Sequence, residues 1–446
     1  MKETKFYDSA IDKFKHRDFN SALELFLRSI EEDPANFKAY NYAGIIFGMA
    51  DSAERASKYF DKAIELKPEF SDAYSNKGII LSGQGRYEEA LSFFQKAKSI
   101  APANEMNYYN HAVALQEIGK IDEAICEFRK TIMINKNNAQ AHFHLALLLL
   151  MTGDFREGWA EYEWGYKSGD ILDRKIYKLR WDGSNFAGKK IYIYSDQGFG
   201  DTFQFIRFLP EVKKRGGEII LEVEPQVKEI AERFGYFDKL VIGNKERRPA
   251  ADFDIYIPLL SIPGTVGTNI SGEPYLSASP EKIEEWKEII NSSGKLKAGF
   301  VWTGNIYPPR NKKRHMNLTD FAFLFEIKGI EWYSLQKDAG TDFIGYPVTD
   351  LGLKLNDFDD TAAAVSNLDL VISIDTSVAH IAGAMGKKCW LLLANVPDWR
   401  WGISGENSAW YNSVKCFRQT ERGNWKEVLE NVKSELLKLA EDFNEQ

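Results

Sequence analysis

Cysteine and long apolar runs are both scarce in this chain. Its three cysteines, Cys126, Cys389 and Cys416, lie far apart and show no CxxC spacing, which argues against a disulfide framework and against a zinc site. The longest apolar run covers only residues 145–151, whereas a helix needs about 20 apolar residues to cross a bilayer. Residues 1–5 lead straight into an amphipathic pattern, so no secretory signal is expected. We therefore expect a cytoplasmic protein without a membrane span.

An excess of positive charge is also missing. Lysine and arginine number 57 against 65 aspartates and glutamates, so the net charge is −8. No segment is basic enough to follow a phosphate backbone, which argues against nucleic acid as a partner. Hydrophobic residues make up 44% and charged residues 27% of the 446 residues, a composition typical of soluble globular proteins. At roughly 150 residues per domain, this length suggests about three domains.

The N-terminal third contains an internal repeat, because proline, alanine, phenylalanine and tyrosine recur at intervals of 34 residues. The recurring residues are Pro34, Pro68 and Pro102; Ala22, Ala56, Ala90 and Ala124; Phe26, Phe60, Phe94 and Phe128; and Tyr40, Tyr74 and Tyr108. This pattern resembles the tetratricopeptide repeat (TPR), in which each unit is a pair of antiparallel helices. The small residue lets the helices approach, the aromatic ring fills the gap, and the proline ends the second helix.

We predict a TPR array over residues 1–166, with four repeats followed by a degraded fifth from residue 139 to about residue 166. Near the fifth repeat, Lys136 occupies the proline position, and Gly158 and Tyr162 replace the alanine and the phenylalanine. Such an array offers a concave surface that binds a peptide or a protein. The alternative is a spacer or a dimerisation arm, since a fold alone does not define a function.

The rest of the chain alternates predicted strands with predicted helices, which indicates parallel, doubly wound sheets. The predicted strands cover residues 190–195, 218–224, 239–242, 253–257, 297–302, 331–336, 369–374 and 388–394. The predicted helices cover residues 201–215, 225–235, 280–291, 318–327, 359–367, 376–385 and 424–443. We interpret residues 167–279 and 280–422 as two Rossmann-like halves, followed by a C-terminal helix in residues 423–446. Ligands of such sheets bind in a cleft beyond the carboxyl ends of the strands.

Three loops at strand ends carry candidate chemistry, and the first covers residues 195–202. Two glycines follow the strand there and allow a ligand to approach the backbone, and Asp201 opens the next helix. A carboxylate at that position can accept the proton of an attacking hydroxyl. The alternative is that Asp201 and Gln204 form a capping box at the start of the helix.

The second loop, residues 375–380, follows a buried strand and begins a helix with Thr376 and Ser377. The free N–H groups at a helix start suit an anion, which here would be a diphosphate at residues 376–378. The alternatives are an ordinary N-cap, because threonine and serine favour that position, and a core position for His380.

The third loop leaves a strand at residue 301 and continues to residue 315. The loop contains four cationic residues, Arg310, Lys312, Lys313 and Arg314. Cations beside a nucleoside diphosphate would stabilise the charge that develops as it leaves. The alternative is a solvated loop without a ligand.

Taken together, residues 181–425 resemble the transferase domain of bacterial TPR glycosyltransferases. These proteins are similar to the lipopolysaccharide heptosyltransferases and, more distantly, to O-linked N-acetylglucosamine transferase. The segments that carry the resemblance are residues 181–184, 196–205, 302–305, 334–336, 360–363, 368–383, 397–401 and 417–419.

The resemblance implies an all-α TPR superhelix followed by an α/β glycosyltransferase-B fold, with two Rossmann-like domains facing a cleft. It also implies an enzyme that needs neither a metal nor a cofactor, with Asp201 as its catalytic residue. The implied donor and nucleotide contacts are Gln197, Gly198, Gly200, Trp302, Gly304, Asn305, Arg314, Gln336, Lys337, Asp360, Thr361, Asp375, Thr376, Ser377, Val378, His380 and Arg400. The diphosphate would dock at residues 376–378, directly across the cleft from Asp201. Arg314 and Arg400 would offset charge on the leaving group.

The resemblance therefore predicts transfer of a sugar from a nucleotide sugar to an acceptor hydroxyl. The acceptor would be a protein presented by the TPR groove, and flagellin is one candidate. Two alternatives are a TPR scaffold with an inactive transferase-like domain and a sugar-nucleotide epimerase. The scaffold is motivated by departures from the family, which has His at the position of Pro308 and an Asn-Asp pair at Arg310 and Asn311. His315 stands where the family usually has Ser, and Asp196 replaces a usual Glu.

Overall fold

The computed structural model describes residues 5–243, 249, 251–291, 294–304, 314–337, 343 and 345–444. The chain divides into two compact units, Met1–Leu148 and Leu149–Gln446.

The first unit is built from pairs of helices whose starts repeat at steps of 34 residues. The helices are α1 (Lys5–Lys15), α2 (Phe19–Glu32), α3 (Phe37–Met49), α4 (Ala53–Leu66), α5 (Ser71–Gly83), α6 (Tyr87–Ile100), α7 (Glu105–Glu117), α8 (Ile121–Ile134) and the first part of α9 (Ala139–Thr152). The second helices of the repeats, α2, α4, α6 and α8, begin at residues 19, 53, 87 and 121. The first helices of the second to fifth repeats, α3, α5, α7 and α9, begin at residues 37, 71, 105 and 139. The predicted TPR-like helical array is therefore confirmed.

The small and aromatic positions of the repeat form the core of this array. The buried set is Ala22, Ala56, Ala90, Ala124, Phe26, Phe60, Phe94 and Phe128. A Cβ atom on Gly44 would lie 2.7 Å from Cε1 of Phe60, and one on Gly78 would lie 2.5 Å from Cε1 of Phe94. Such approaches are too close for carbon atoms in a packed interior. The aromatic ring therefore requires glycine at these two positions of the first helix.

The second unit begins within α9 and continues with two short helices. These are α10 (Phe155–Tyr162) and α11 (Gly165–Ser168). Since α10 starts at residue 155 and α8 at residue 121, the 34-residue step extends into the degraded fifth repeat. A Cβ atom on Gly158 would lie 2.9 Å from Cδ2 of Leu150, which explains why glycine replaces the usual alanine. Tyr162 is buried at the position that the other repeats give to phenylalanine.

Two parallel sheets form the rest of the second unit. The first sheet has the order β1-β5-β2-β3-β4 and contains β1 (Leu179–Arg180), β2 (Lys190–Tyr194), β3 (Glu218–Val223), β4 (Lys239–Ile242) and β5 (Ile255–Pro258). The second has the order β11-β10-β9-β6-β7-β8 and contains β6 (Leu296–Val301), β7 (Ile330–Ser334), β8 (Val348–Asp350), β9 (Leu370–Ile374), β10 (Cys389–Leu393) and β11 (Val414–Arg418). All paired strands in both sheets run parallel. The predicted region of parallel sheets is confirmed.

Helices lie between many successive strands, as a parallel sheet requires, and one more follows the last strand. They are α12 (Phe199–Phe205), α13 (Leu209–Lys213), α14 (Lys228–Phe234), α15 (Ile262–Val266), α16 (Pro280–Ile289), α17 (Leu318–Phe321), α18 (Phe358–Ser366), α19 (Ser377–Ala384) and the C-terminal α20 (Trp425–Asn444). The single helix predicted over residues 201–215 is instead α12, a 3₁₀ turn at Ile206–Phe208 and α13. The sequence interpretation also missed the short elements β1, β8, β11 and α15.

The chain order reverses within each sheet at one point. In the first sheet β2 lies between β5 and β3, and in the second sheet β6 lies between β9 and β7. The crevices between β2 and β5 and between β6 and β9 are therefore topological switch points, where parallel sheets bind ligands at their carboxyl ends. The first and second candidate loops leave β2 and β9 at these positions, and the third leaves β6.

The C-terminal helix α20 packs against the second sheet. It contributes Val428, Leu429, Val432 and Leu436 to the core that surrounds Phe300. Their spacing is that of one helix face, and α20 lies within the C-terminal helix that the sequence predicts. None of the described helices is long and apolar enough to cross a membrane.

Candidate functional site

The first loop places Asp201 inside a helix rather than at its start. Gly198 is the N-cap of α12, so Asp201 is the third helical residue. Its Oδ2 accepts the backbone N–H of Gly198 at 2.8 Å. This is one of the two hydrogen bonds of a capping box; the other needs an N-cap side chain, which glycine lacks. The predicted capping box between Asp201 and Gln204 is therefore wrong, because the helix begins two residues earlier at Phe199.

Arg400 engages the other oxygen of Asp201. Its Nη2 donates to Asp201 Oδ1, its Nη1 lies 2.7 Å from Asp398 Oδ1, and its Nε donates to Gln204 Oε1 at 2.9 Å. The guanidinium carbon also lies 4.3 Å from the ring centroid of Trp399. Burial disfavours a charged guanidinium, but the adjacent Asp201 and Asp398 raise the pKa of Arg400. All three nitrogens contact protein groups, which use three of the five N–H groups of the guanidinium.

The second loop begins α19 with Thr376 as its N-cap. The Thr376 side chain makes no capping hydrogen bond to the helix, and its Oγ1 instead lies 2.9 Å from Ser373 Oγ. Thr376 is thus an N-cap by position, but its hydroxyl does not occupy the first N–H groups of the helix. Ser377 and Val378, the predicted anion contacts, are the first two residues of this helix. Their N–H groups lie at the positive end of the helix dipole.

Asp375 and Arg314 form an ion pair beside this helix start. Arg314 Nη1 donates to Asp375 Oδ2 at 3.0 Å. Within the described part of the chain, the buried Nε of Arg314 has no hydrogen-bond partner. Burial and the neighbouring Asp398 raise the pKa of Asp375, although Arg314 acts in the opposite direction. Arg314 therefore reaches the second loop by pairing with Asp375, and its role beside a leaving group stays a prediction.

His380 is a core histidine that joins the first and second loops. Its Nδ1 lies 3.0 Å from the hydroxyl of Tyr411, and its ring centroid lies 5.0 Å from that of Trp401. A Cβ atom on Gly200 would lie 2.7 Å from Cδ2 of His380, so only glycine fits there. Burial, assisted by the charge of Arg400, lowers the pKa of His380 to about 3. The imidazole is therefore neutral, and the structure brings the two loops together at this contact.

The described part of the third loop lies beside the second. A Cβ atom on Gly304 would lie 3.4 Å from Cγ2 of Thr376. Trp302 is buried and stacks on Phe300 with ring centroids 5.4 Å apart, so it serves the core rather than an open binding surface. The predicted contact Asn305 lies outside the described residues, as do Pro308, Arg310, Asn311, Lys312 and Lys313.

Gln336 and Lys337 follow β7, next to the end of β6. Gln336 Oε1 accepts the backbone N–H of Thr303 at 3.2 Å, so it ties the third loop to the neighbouring strand. Lys337 Nζ donates to the carbonyl of Asn356 at 3.2 Å. Gln336 is therefore adjacent to the site loops, whereas Lys337 is tied to the segment before α18.

Asp360 and Thr361 are engaged within α18 and its surroundings. Asp360 contacts Lys282 Nζ at 2.9 Å and accepts the N–H of Asn356 at 2.9 Å. Burial alone would raise the pKa of Asp360, but Lys282 and Asn356 together lower it. Thr361 is buried and donates to the carbonyl of Asp357 at 3.2 Å. The structure shows a charge cluster here, and among the hydrogen bonds and ion pairs of the described residues none joins Asp360 or Thr361 to the loops that contain Asp201 and Asp375.

The sequence interpretation missed several residues that contact the site loops. Tyr162 and Gln197 are joined by a hydrogen bond of 3.0 Å, and Tyr166 donates to Asp196 at 2.8 Å. The tyrosine in the phenylalanine position of the fifth repeat was a usable signal for Tyr162. Nothing in the local pattern pointed to Tyr411, whose contact with His380 is made only by the fold.

Comparisons with known proteins find a match to one repeat and a relative that covers about two thirds of the chain. Residues 71–104 match the sequence model of the tetratricopeptide repeat, in agreement with the helix pairs. Protein FlbA of Caulobacter vibrioides is 25% identical over 330 residues, which is 65% of this chain and 54% of FlbA. The chain thus spans about half the length of this curated relative.

Several solved TPR structures are also similar to part of the chain. A Pseudomonas aeruginosa PilF structure is 19% identical with a TM-score of 0.36, and the match covers 38% of this chain and 77% of PilF. MamA of Desulfovibrio magneticus is 19% identical with a TM-score of 0.32, over 37% of this chain and 92% of MamA. YrrB, described as a TPR protein with an unusual peptide-binding site, is 18% identical with a TM-score of 0.31, over 36% of this chain and 84% of YrrB.

Proposed function

We propose that the second unit is a glycosyltransferase of the glycosyltransferase-B type, which moves a sugar from a nucleotide-diphosphate donor to an acceptor hydroxyl. One observation carries this proposal. The loop with Asp201 and the helix start at Ser377 follow the carboxyl ends of two separate parallel sheets, and they meet where Gly200 contacts His380. A carboxylate and an anion site on facing loops are the two groups that glycosyl transfer from a diphosphate requires.

The first N–H groups of α19 would hold the donor diphosphate, with Arg314 beside them. Asp201 would act as the base through Oδ1, because Oδ2 is held by the N–H of Gly198. The acceptor hydroxyl would give its proton to Oδ1 as its oxygen attacks the anomeric carbon. The bond from that carbon to the diphosphate breaks, and the electron pair leaves with the nucleoside diphosphate. This step requires Arg400 to release Oδ1, and the freed guanidinium would then face the leaving group.

The TPR array would supply the protein substrate. The repeat match and the helix pairs support a surface for a peptide or a protein. We therefore propose a protein acceptor, and flagellin stays a predicted candidate.

Replacing Asp201 by Asn tests the base. The variant should lose transfer while it still binds the nucleoside diphosphate, because the amide cannot accept the proton. The matched control is Asp320→Asn, since Asp320 is also the third residue of its helix and its Oδ2 accepts the N–H of Asn317 at 2.8 Å. This control loses the same kind of cap and should keep full transfer. Unchanged turnover in Asp201→Asn would show that the base is another residue.

A binding scaffold with an inactive transferase domain is the second candidate, and the contact of Arg400 with Asp201 favours it. Calorimetry with uridine, guanosine and adenosine diphosphates separates the two. An inactive scaffold should bind none of them, whereas the proposed enzyme should bind one. An epimerase, the third possibility, would interconvert donors when no acceptor is present.

A further inference from the structure

The fifth repeat differs from the others at one aromatic position. The first four repeats carry Phe26, Phe60, Phe94 and Phe128 there, and the fifth carries Tyr162. Tyr162 is as buried as the phenylalanines, so its ring fills the same gap between helices. The added hydroxyl is the chemical difference, and a hydroxyl in a buried position requires a polar partner.

That partner belongs to the loop that precedes Asp201. Gln197 Nε2 donates to the Tyr162 hydroxyl at 3.0 Å. One helical turn further along the chain, Tyr166 donates to Oδ2 of Asp196 at 2.8 Å. Two consecutive residues of the loop after β2 are therefore held by two tyrosines that sequence analysis assigned to the repeat array.

Two further side-chain hydrogen bonds of this loop lie within the described part of the chain. Gly198 and Gly200 have no side chains, and their backbones are conformationally permissive. Ser195 Oγ lies 2.6 Å from Thr202 Oγ1, and Asp196 Oδ1 accepts the N–H of Leu260 at 3.5 Å. Tyrosine hydroxyls thus contact the side chain of Gln197 and one oxygen of Asp196.

We propose that Tyr162 and Tyr166 are positioning residues, which hold the loop of residues 195–200 so that Asp201 faces the acceptor. This inference rests on the proposed function. Neither tyrosine contacts Asp201 directly in the hydrogen bonds described here, and both act through the loop. A misplacement of about 1 Å at a catalytic group can reduce turnover by about 100-fold, so a loop rich in glycine needs such anchors.

The environment of Asp196 supports this role. Burial raises the pKa of Asp196 to about 7, and the hydrogen bond from Tyr166 acts in the opposite direction. The Tyr166 hydroxyl is therefore an important partner of a carboxyl group that the interior otherwise disfavours as an ion. Removing the hydroxyl weakens the hold on Asp196 and on the loop that follows it.

The test uses Tyr162→Phe and Tyr166→Phe in the full chain. The first substitution restores the residue that the other four repeats carry, so packing in the repeat is kept. The matched control is Tyr192→Phe, because the hydroxyl of Tyr192, on β2 itself, also donates to a buried carboxylate, that of Glu222 on β3. The control loses the same kind of bond, and the hydroxyl that it removes donates to the side chain of Glu222 rather than to a residue of the loop.

Two measurements decide the outcome. Amide exchange of residues 195–200 should speed up about 2- to 10-fold in either loop-facing variant, the range expected for one lost hydrogen bond, and should not change in Tyr192→Phe. With a donor and an acceptor, kcat should fall roughly 10- to 100-fold, and KM for the donor should change less than kcat does, since the donor diphosphate is proposed to bind at the second loop.

Unchanged exchange and unchanged kcat in both variants would overturn the proposal. So would equal losses in Tyr192→Phe, because the effect would then be one of general stability. If the unsubstituted protein transfers no sugar, the proposed function fails, and the exchange rates still decide whether these tyrosines position the loop.

Discussion

Arg400 is the cation whose removal should most disturb the candidate site. Arg400→Met keeps a long side chain that fits beside Trp399 but removes the guanidinium. Asp201 Oδ1, Asp398 Oδ1 and Gln204 Oε1 each lose a donor. Asp201 keeps only the backbone contact at Gly198 in the pairs described above.

The size of the effect follows from how little water reaches this pair. The Arg400 side chain is 8% exposed and that of Asp201 is 17% exposed, whereas Asp398 is 37% exposed. Breaking a buried pair by removing one partner costs about 3–5 kcal/mol. Asp398 can be hydrated, so its contact contributes only about 0–1 kcal/mol. We therefore expect Arg400→Met to lower the free energy of unfolding by about 3 kcal/mol.

Urea unfolding followed by tryptophan fluorescence measures this, because Trp399 and Trp401 flank Arg400. The double variant Asp201→Asn, Arg400→Met should cost less than the sum of the single variants, since it leaves no uncompensated charge on residue 201. The exposed pair of Lys438 and Glu435 provides the control, and Lys438→Met should change stability by less than about 0.5 kcal/mol. If Arg400→Met is as mild as this control, the pair is hydrated and the reasoning is refuted.

Two further predictions concern the repeat core and the loop anchor. Gly78→Ala should destabilise the array by about 1–3 kcal/mol, because the new methyl group would meet the Phe94 ring. The control is Gly83→Ala in the same helix. Its methyl group would meet open space, so this variant should be neutral or stabilising by up to about 1 kcal/mol. Thermal unfolding compares them, and equal effects would contradict the packing argument. Burial raises the pKa of Asp196 from 3.8 to about 7, so its contribution to stability is present below pH 3.8 and lost as pH rises through 7. Asp196→Asn should therefore gain stability relative to the unsubstituted protein between pH 4 and pH 8, and a difference that does not vary with pH would show that Asp196 does not titrate in this window.

The repeat array was predictable because its signal is local and recurs. Each 34-residue step places Phe60 or Phe94 against the glycine of its own helix pair, so the contact lies within one repeat. The alternation of strands and helices was predictable for the same reason, and the long strands β2, β3, β9 and β10 lie close to their predicted positions.

The site was predictable only in part. The loops containing Asp201 and Asp375 follow predicted strands, so their placement at the carboxyl ends of the sheets came from the pattern. The position of Asp201 within its helix could not be read from the pattern. The helix α12 begins at Phe199, and the residue before it, Gly198, is not a strong N-cap signal. Asp360 was assigned to the nucleotide by family resemblance, and the structure instead pairs it with Lys282.

The sequence by itself determined the period of the repeats, the order of strands and helices, and the three loops that could carry chemistry. These features depend on residues near one another in the chain, where periodicity and turn chemistry act. Only the tertiary structure decided that Arg400 pairs with Asp201, that Gly200 packs on His380, and that tyrosines of the fifth repeat hold the loop after β2. Those contacts join residues that are distant in the chain, and their energies depend on burial, which arises only when the sheets and helices have packed.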